Sequence, residues 1–405
     1  MEDSLTTVQF KKDSFIMFEE TQKADRFYII REGKVKISRE VNLGAREDNL
    51  LGPGDYFGVI CAMSSQRHIE TAQALTDVDL IVVYREQYGN LIQKNSQIAM
   101  KIIMQFSKRL RYLNKAVAGI ALKKNVDLTT AHLFEVGEYY FKQKQNDIAL
   151  HTYIRYIKHC PDGINVNAAK SRIIELNTRM KGAARTEKEF GPNEVNRTYS
   201  KGALIFVEGE PGDELFIIQE GSVKITRIVS DNEVLLIIVK AGEIFGEMAL
   251  LENKPRSATA VAFEDCKVMT MSRANFSQMI ATQPRLIAKV TTLLAERLWL
   301  IYKQLINTLI ENPTARLYDI LVIQLEKEHV SLNSKSPHTF DFGQQELINM
   351  AGIPEREANE AMELLFKSKL VRIHGDKVFL TSVVEVFKQA ASFKKKDMME
   401  KARKM

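Results

Sequence analysis

Two stretches of this chain repeat each other 188 residues apart. FYIIREGKVKISR, Phe27 to Arg39, matches LFIIQEGSVKITR, Leu215 to Arg227, and PGDYFG, Pro53 to Gly58, matches AGEIFG, Ala241 to Gly246. Self-similarity at a fixed spacing means one folding unit used more than once. Each copy holds short alternating or apolar runs, IVVY in the first and LLIIV in the second, broken by glycine. The second copy carries Gly202, Gly209, Gly212, Gly221 and Gly242. Short strands with turn residues at close spacing predict an antiparallel sandwich or roll. Glycines supply the positive-φ positions that its tight turns need.

A long helical pattern follows each roll. Ile103, Phe106, Leu110, Leu113, Val117 and Ile120 step by three and four after the first. Ile287, Thr291, Leu294, Leu298, Ile301, Leu305 and Thr308 do so after the second. Both stripes predict helices that pair with another helix. The other option is a helix lying on its own roll.

Between the copies, LFEVGEYYFKQKQNDIALHTYIRYIKHCP runs from Leu133 to Pro161. Gly137, Ala149 and Tyr153 are spaced for a tight antiparallel helical hairpin closed by Pro161. The segment is similar to one tetratricopeptide repeat. A lone repeat cannot bury its own face, so it must dock on something, as a spacer or as a platform for a protein partner. RMKGAARTEKEFGPNE, Arg179 to Glu194, reads as a linker.

Composition narrows the classes. A hydrophobic fraction of 45% suits ordinary globular cores, and 405 residues leave room for about two to four domains. The longest apolar run, Val234 to Val239, is too short to span a bilayer, and MEDSLTTVQF lacks the features of a signal peptide. Cys61, Cys160 and Cys266 form no CxxC pair and read as buried free thiols in a reducing cytoplasm, with no metal site. The net charge of +6 is concentrated in SFKKKDMMEKARKM, Ser392 to Met405, where five lysines and Arg403 face only Asp397 and Glu400. This tail reads as a solvated helix or an auxiliary contact to phosphates.

FGEMALLENKPRSA, Phe245 to Ala258, carries the most specific chemistry. A helical turn starting at Glu247 aims free N–H groups at an anion, and Gly246 lets backbone approach closely. Arg256 offers a guanidinium fork for a phosphate, Ser257 a hydroxyl, and Pro255 stiffens the approach. Glu247 would repel that phosphate unless it held something else, and a sugar hydroxyl is such a partner. A small anion with both phosphate and ribose is indicated.

These residues resemble the phosphate-binding cassette of cyclic-nucleotide-binding domains, as in catabolite activator (Crp/Fnr) proteins and cyclic-nucleotide-dependent kinases. The resemblance covers Asn196 to about Ile310. It implies that Glu247 holds the ribose 2′-hydroxyl, that Arg256 and Ser257 hold the cyclic phosphate, and that backbone near Gly246, Met248 and Ala249 completes the site. In catabolite activators two hydroxyl residues on the long helix contact the purine; here Ile301 and Tyr302 stand there, so base choice stays open. Cyclic AMP is the expected effector and cyclic GMP the alternative.

In the first copy, FGVICAMSSQRHIE, Val59 replaces the glutamate, His68 falls where Arg256 does, and Ile69 replaces Ser257. Arg67 is one position off. This copy reads as a roll that kept its fold and lost its ligand. The alternatives are a less polar ligand or a haem held by His68, although a surface histidine is the commoner case.

From Thr339, FDFGQQELINMAGIPEREANEAMELLFKSKLVRIHGDKVFL resembles the winged helix-turn-helix of the same activators, over roughly Pro313 to Gln389. RIHGDKVFL alternates like a two-stranded wing. The reading helix carries Glu355, Glu357, Glu360 and Glu363 against Arg356. That face repels phosphates. Arg356 and Asn359 remain candidates to read base edges, with Lys377 among the backbone contacts.

The expected architecture is multidomain α+β: two antiparallel β-rolls, a helical hairpin insert and a C-terminal winged helix. The expected segments are 1–125, 126–178, 179–195, 196–312, 313–390 and a basic tail 391–405. The expected function is a cyclic-nucleotide-gated transcription regulator, a homodimer through the helix 285–312 that binds double-stranded DNA. The alternative is a cyclic-nucleotide-sensing scaffold whose hairpin and winged helix bind proteins. P-loop, nucleophile-elbow, HExxH and kinase motifs are missing, so an enzyme is not expected.

Overall fold

The computed structural model of the chain describes residues 6–20, 24–39, 49–122, 130–180, 190, 194–229 and 232–404. Most of the expected linker, 181–189 and 191–193, lies outside them. The chain divides into two compact units. One comprises Met1–Phe106, Ser277–Ile306 and Ile323–Val330, the other Ser107–Phe276, Asn307–Val322 and Ser331–Met405.

The first unit is built on the first roll, two four-stranded antiparallel sheets. One orders the strands Thr7–Phe10, Val78–Tyr84, Arg26–Glu32 and Tyr56–Phe57. The other orders Phe15–Met17, Thr71–Ala74, Val35–Ser38 and Leu50–Leu51. Ile30, Val35, Ile37, Phe57, Ala72 and Leu80 fill the space between them. The second roll repeats this order, with Asn196–Tyr199, Cys266–Ser272, Glu214–Glu220 and Ile244–Phe245 in one sheet. Its other sheet orders Leu204–Phe206, Thr259–Ala262, Ser222–Val229 and Asn232–Lys240. Arg26–Glu32, Tyr56–Phe57, Thr71–Ala74 and Val78–Tyr84 recur at the same 188-residue offset as the sequence repeat. Inward side chains alternate along these strands, as Cys266, Val268 and Thr270 do, because successive side chains leave a strand on opposite faces.

The two long helices, Ser96–Leu122 and Pro284–Asn307, do not stay with the rolls they follow. Residues 284–306 belong to the unit of the first roll. There the Thr291 hydroxyl lies 3.2 Å from that of Tyr88, the Tyr302 hydroxyl donates to Glu19 at 3.0 Å, and Lys303 pairs with Glu20. From Ser107 onward the other helix belongs to the unit of the second roll. The expected segments 1–125 and 196–312 therefore each contribute residues to both units. The stripe Ile287, Leu294, Leu298, Ile301 and Leu305, expected to pair with a second chain through 285–312, is buried within one chain.

In the second unit, helices Leu133–Lys142 and Asn146–His159 form the expected hairpin. A third helix, Val166–Arg179, packs on it and was not read from the sequence. The hairpin buries its apolar face on the second roll, where Tyr140, Tyr153 and Leu150 join Val207, Ile228 and Val261 in one core. The winged helix consists of helices Gln344–Ala351 and Glu355–Lys367 and a three-stranded sheet, His338–Phe340, Lys377–Leu380 and Val371–His374. The basic tail is the end of a helix, Val383–Lys404, that packs back on Pro313–Lys327. Phe393 stacks on Tyr318 at 5.5 Å, and Lys394 meets Asp319 at 2.5 Å. Cys61 and Cys266 are buried free thiols; Cys160 is half-buried.

A side chain at Gly137 would place its Cβ 2.7 Å from the fully buried Tyr153 ring. Overpacking of this kind costs about 1–3 kcal/mol, more than the roughly 1 kcal/mol gained in helix propensity on replacing glycine. Gly137→Ala is expected to lower the denaturation midpoint; an unchanged or raised midpoint would show that the two helices are less closely apposed.

Candidate functional site

The strand Ile244–Phe245 ends at Gly246, whose φ of 76° turns the chain into the short helix Glu247–Glu252. That helix closes at Asn253, also left-handed. The chain then returns through Pro255 to Arg256 and Ser257, ahead of the strand Thr259–Ala262. Glu247, Met248, Ala249, Arg256 and Ser257 are all buried, Glu247 to 1% exposure and Arg256 to 5%. The main chain of Arg256 is fixed on both sides: its N–H donates to Glu210 O at 2.8 Å and its carbonyl accepts from Gly209 N at 2.9 Å. Its Nη1 donates to the carbonyls of Glu214 and Gly246 at 2.8 and 2.7 Å. The guanidinium lies 4.3 Å from the Phe206 ring centre and 5.4 Å from that of Phe216, rings that cluster with Phe245. Such stacking favours the cation. Among the described residues Nε has no hydrogen-bond partner.

Burial pushes the Arg256 pKa below its ordinary value, against the pull of Glu210, Glu214, Asp213 and Glu247. Glu247 is thus within electrostatic reach of Arg256. Ser257 is less committed, its hydroxyl 3.8 Å from the Met248 sulfur.

Two glycines make room for the guanidinium. At Gly246 a Cβ would stand 2.7 Å from Nη1, and at Gly212 one would stand 2.2 Å from Nε. Gly212 had been grouped with the turn glycines. Gly202, Gly209, Gly221 and Gly242 do take positive φ, but Gly212 does not; its task is clearance for Arg256.

The first roll closes the same place with its own side chain. Glu70 accepts from Gly58 N at 3.2 Å and pairs with Arg39 at 3.0 Å. Gly58 is the counterpart of Gly246, while the counterpart of Glu70 is Ala258, a methyl group. A carboxylate of the chain thus takes the backbone donor that an anionic ligand would use. Val59 and Ile69 are buried apolar residues here. His68 is not a surface histidine: it is 6% exposed, and burial pushes its pKa down.

Ile301 and Tyr302, expected at the base, belong to the unit of the first roll, and the Tyr302 hydroxyl is committed to Glu19. The structure does not bring them into one unit with Glu247 and Arg256. The helix surface that does meet the cassette comes from Ser96–Leu122. Ser107 donates to Glu252 at 3.0 Å, and Arg111 donates to Glu252, Pro255 O and Met248 O at 3.0, 3.0 and 3.3 Å. Sequence reading missed this, because a helical stripe says that a partner exists and not which.

On the winged helix, Asn359, Glu360 and Glu363 are exposed. Arg356 is exposed too, but it pairs with Glu357 at 3.0 Å. Lys377 pairs with Asp341 at 2.9 Å, and the two carry pKa shifts in opposite directions because of that bond. A cavity of about 960 Å³ lies elsewhere in this unit, between the hairpin, the outer sheet of the roll and the helix Gln344–Ala351; Lys144, Lys224 and Gln345 line it, and no cassette residue does.

A family model of the cyclic nucleotide-binding domain matches residues 7–95 and 196–283, one match per roll. The fold and the cassette therefore define a protein with two cyclic nucleotide-binding domains. A CRP-like cAMP-activated global transcriptional regulator of Mycobacterium tuberculosis is 26% identical over 193 residues, 47% of this chain and 86% of that protein. A cyclic AMP receptor protein of Thermus thermophilus is 36% identical over 103 residues, 25% of this chain and 48% of that protein. Among solved structures, a CooA mutant from Carboxydothermus hydrogenoformans matches with a TM-score of 0.42 and 18% identity, over 50% of this chain and 92% of that one. The two rolls match the cyclic nucleotide-binding domain family, and over the spans given the chain is similar to CRP-like regulators. Among the described residues no helix is long and apolar enough to cross a membrane.

Sequence reading also missed how the hairpin is fastened beside this site. His132 Nε2 lies 3.3 Å from Glu208 and its Nδ1 2.9 Å from Glu135, while His151 lies 3.1 Å from Glu210, the residue whose carbonyl holds Arg256 N–H. Burial lowers the His132 pKa, but Glu208 and Glu135 outweigh it and hold the pKa above the ordinary histidine value. A raised folded-state pKa contributes stability that is complete below the unfolded pKa, about 6.5, and lost as pH rises through the folded one. The stability gap between the native chain and His132→Gln is expected to be widest below pH ~6.5 and to narrow above it. Denaturation at several pH values checks this; a gap that widens as pH rises would contradict it.

Proposed function

We propose that the second roll binds one cyclic purine nucleotide and that this binding regulates the winged helix. Arg256 carries the reading: a guanidinium almost removed from water, flanked by two glycines that clear its space, with Nε unpartnered among the described residues. In the proposed complex Arg256 and Ser257 hold the cyclic phosphate and Glu247 accepts from the ribose 2′-hydroxyl. The backbone at Gly246, Met248 and Ala249 closes around both. Cyclic AMP is the proposed effector, supported by the cAMP in the names of both relatives, with cyclic GMP as the competitor. A ligand moves such an equilibrium only through unequal affinity for two arrangements. The winged helix packs in the same unit as the cassette, with Lys240 of the roll 3.6 Å from Asp341, so a shift of the roll bears directly on it.

Double-stranded DNA is the proposed output, read by Arg356 and Asn359 with Lys377 at the backbone. A second reading is favoured by a specific observation. Arg356 and Lys377 already pair with carboxylates, and Glu360 and Glu363 share the exposed face of the reading helix. On this reading the winged helix and the tetratricopeptide-like hairpin engage proteins instead. DNA retention measured against salt separates the two. A regulator is expected to lose roughly 10³-fold or more in affinity between 50 and 200 mM salt, as six or more phosphate contacts imply, whereas a scaffold is expected to retain little DNA at any salt.

For the ligand site, Arg256→Ala is expected to reduce cyclic-nucleotide affinity at least 100-fold, about the 3 kcal/mol of a lost charged hydrogen-bond pair. Arg67→Ala in the first roll is expected to leave it unchanged. Calorimetric titration checks both. Equal effects from the two changes, or none from either, would overturn the assignment of one binding roll and one closed roll.

A further inference from the structure

The cavity beside the second roll is built like a site of its own. Its volume of about 960 Å³ is that of a small-molecule pocket, far above the gaps left in a packed interior. Its floor is the outward face of the roll's outer sheet. Leu204, Val261, Lys224 and Ile238 stand there in register, one from each of the four strands. Three strand spacings make that row about 14 Å long. The hairpin and the helix Gln344–Ala351 form the walls. All of these elements lie in one unit.

The repeat shows that the floor is particular to the second roll. The counterpart of Val261 at the 188-residue offset is Gln73, an amide in place of an apolar surface. The hairpin that walls the cavity lies in the unit of the second roll.

The charges that the cavity leaves open are positive. Of its acids, Glu233 pairs with Lys224 at 3.5 Å, Glu346 accepts from Gly343 N at 3.1 Å, and Asp147 is engaged within the chain. Lys144 and Lys201 also line it and make no ion pair among the described residues. Two residues from Lys144, the side-chain oxygen of Asn146 is shut off from water and has no hydrogen-bond partner among the described residues. Such an oxygen is destabilising unless a donor reaches it.

We propose that this cavity binds an amphipathic carboxylic acid that carries a hydroxyl beside its acid group. The apolar chain lies along Leu204, Val261, Ile238 and the stem of Lys224. The carboxylate sits with Lys144 and Lys201, and the hydroxyl donates to Asn146. Such an occupant touches the hairpin, the roll and the winged helix at once. It is a second input to the winged helix, and it does not depend on what the cassette binds.

The test is calorimetric titration of the full chain with β-hydroxydodecanoate, dodecanoate and dodecanol, each below the concentration at which it forms micelles. The native chain is expected to bind β-hydroxydodecanoate about threefold or more tighter than dodecanoate, the gain of one neutral hydrogen bond. It is expected to bind dodecanol at least tenfold more weakly than dodecanoate, the loss of a charged one. Changing Lys144→Gln and Lys201→Gln together is expected to weaken both acids at least tenfold. Asn146→Ala is expected to remove the preference for the hydroxylated acid. Ala203→Phe, which sets a ring into the cavity, is expected to abolish binding, and should that chain fail to fold the lysine and Asn146 variants decide. Arg256→Ala is expected to leave the acids bound. No binding by the native chain, or binding that survives the paired lysine change, would overturn the proposal. So would binding lost in Arg256→Ala, which would place the acid in the cassette.

Discussion

A guanidinium taken almost wholly out of water must find its compensation in fixed dipoles, and Arg256 finds part of it in the carbonyls of Glu214 and Gly246. The rest of the second roll is arranged around that requirement. Phe206, Phe216 and Phe245 give the cation an aromatic floor, and Gly212 and Gly246 withhold the side chains that would collide with it. Backbone bonds to Gly209 and Glu210 fix where it leaves the chain. Four carboxylates keep it charged against the burial that opposes charge. A roll of this kind is easier to stabilise without a buried cation, which is why Arg256 carries the proposal of a bound anion.

The two halves of the chain show how little separates a binding roll from a closed one. The strands and turns recur at one offset, and both glycines before the cassette helices take the same left-handed conformation. At the position where the second half has Ala258, the first has Glu70, which pairs with Arg39 and takes the N–H of Gly58. In the proposed reading, one side chain longer by a carboxylate stands where the second roll takes an anion from solution.

Much of this was legible from residues alone. The repeat, the antiparallel rolls, the hairpin closed by Gly137 against Tyr153 and the winged helix all follow from local periods and turn chemistry, and the structure contains each. The cassette was legible because Gly246, Glu247, Arg256 and Ser257 lie close in sequence. What was not legible depended on distant pairing. The stripes on the long helices required partners, but not that 284–306 would join the first roll and 107–122 the second. Hence Ile301 and Tyr302 lie in the unit of the first roll, apart from that of the cassette, and the stripe over 287–305 is buried within one chain. Comparing Val59, His68 and Ile69 with their counterparts stopped one residue short of Glu70. The pairings of His132 with Glu208 and His151 with Glu210 span 76 and 59 residues, a separation at which no local pattern points to a partner.

The number of cyclic nucleotides bound per chain tests the central claim most directly, because it depends on both halves at once. Titration of the intact protein is expected to saturate at one nucleotide per chain. Saturation at two would show that the Glu70–Arg39 pair does not close the first roll, and no binding at all would show that Arg256 is buried for some other purpose.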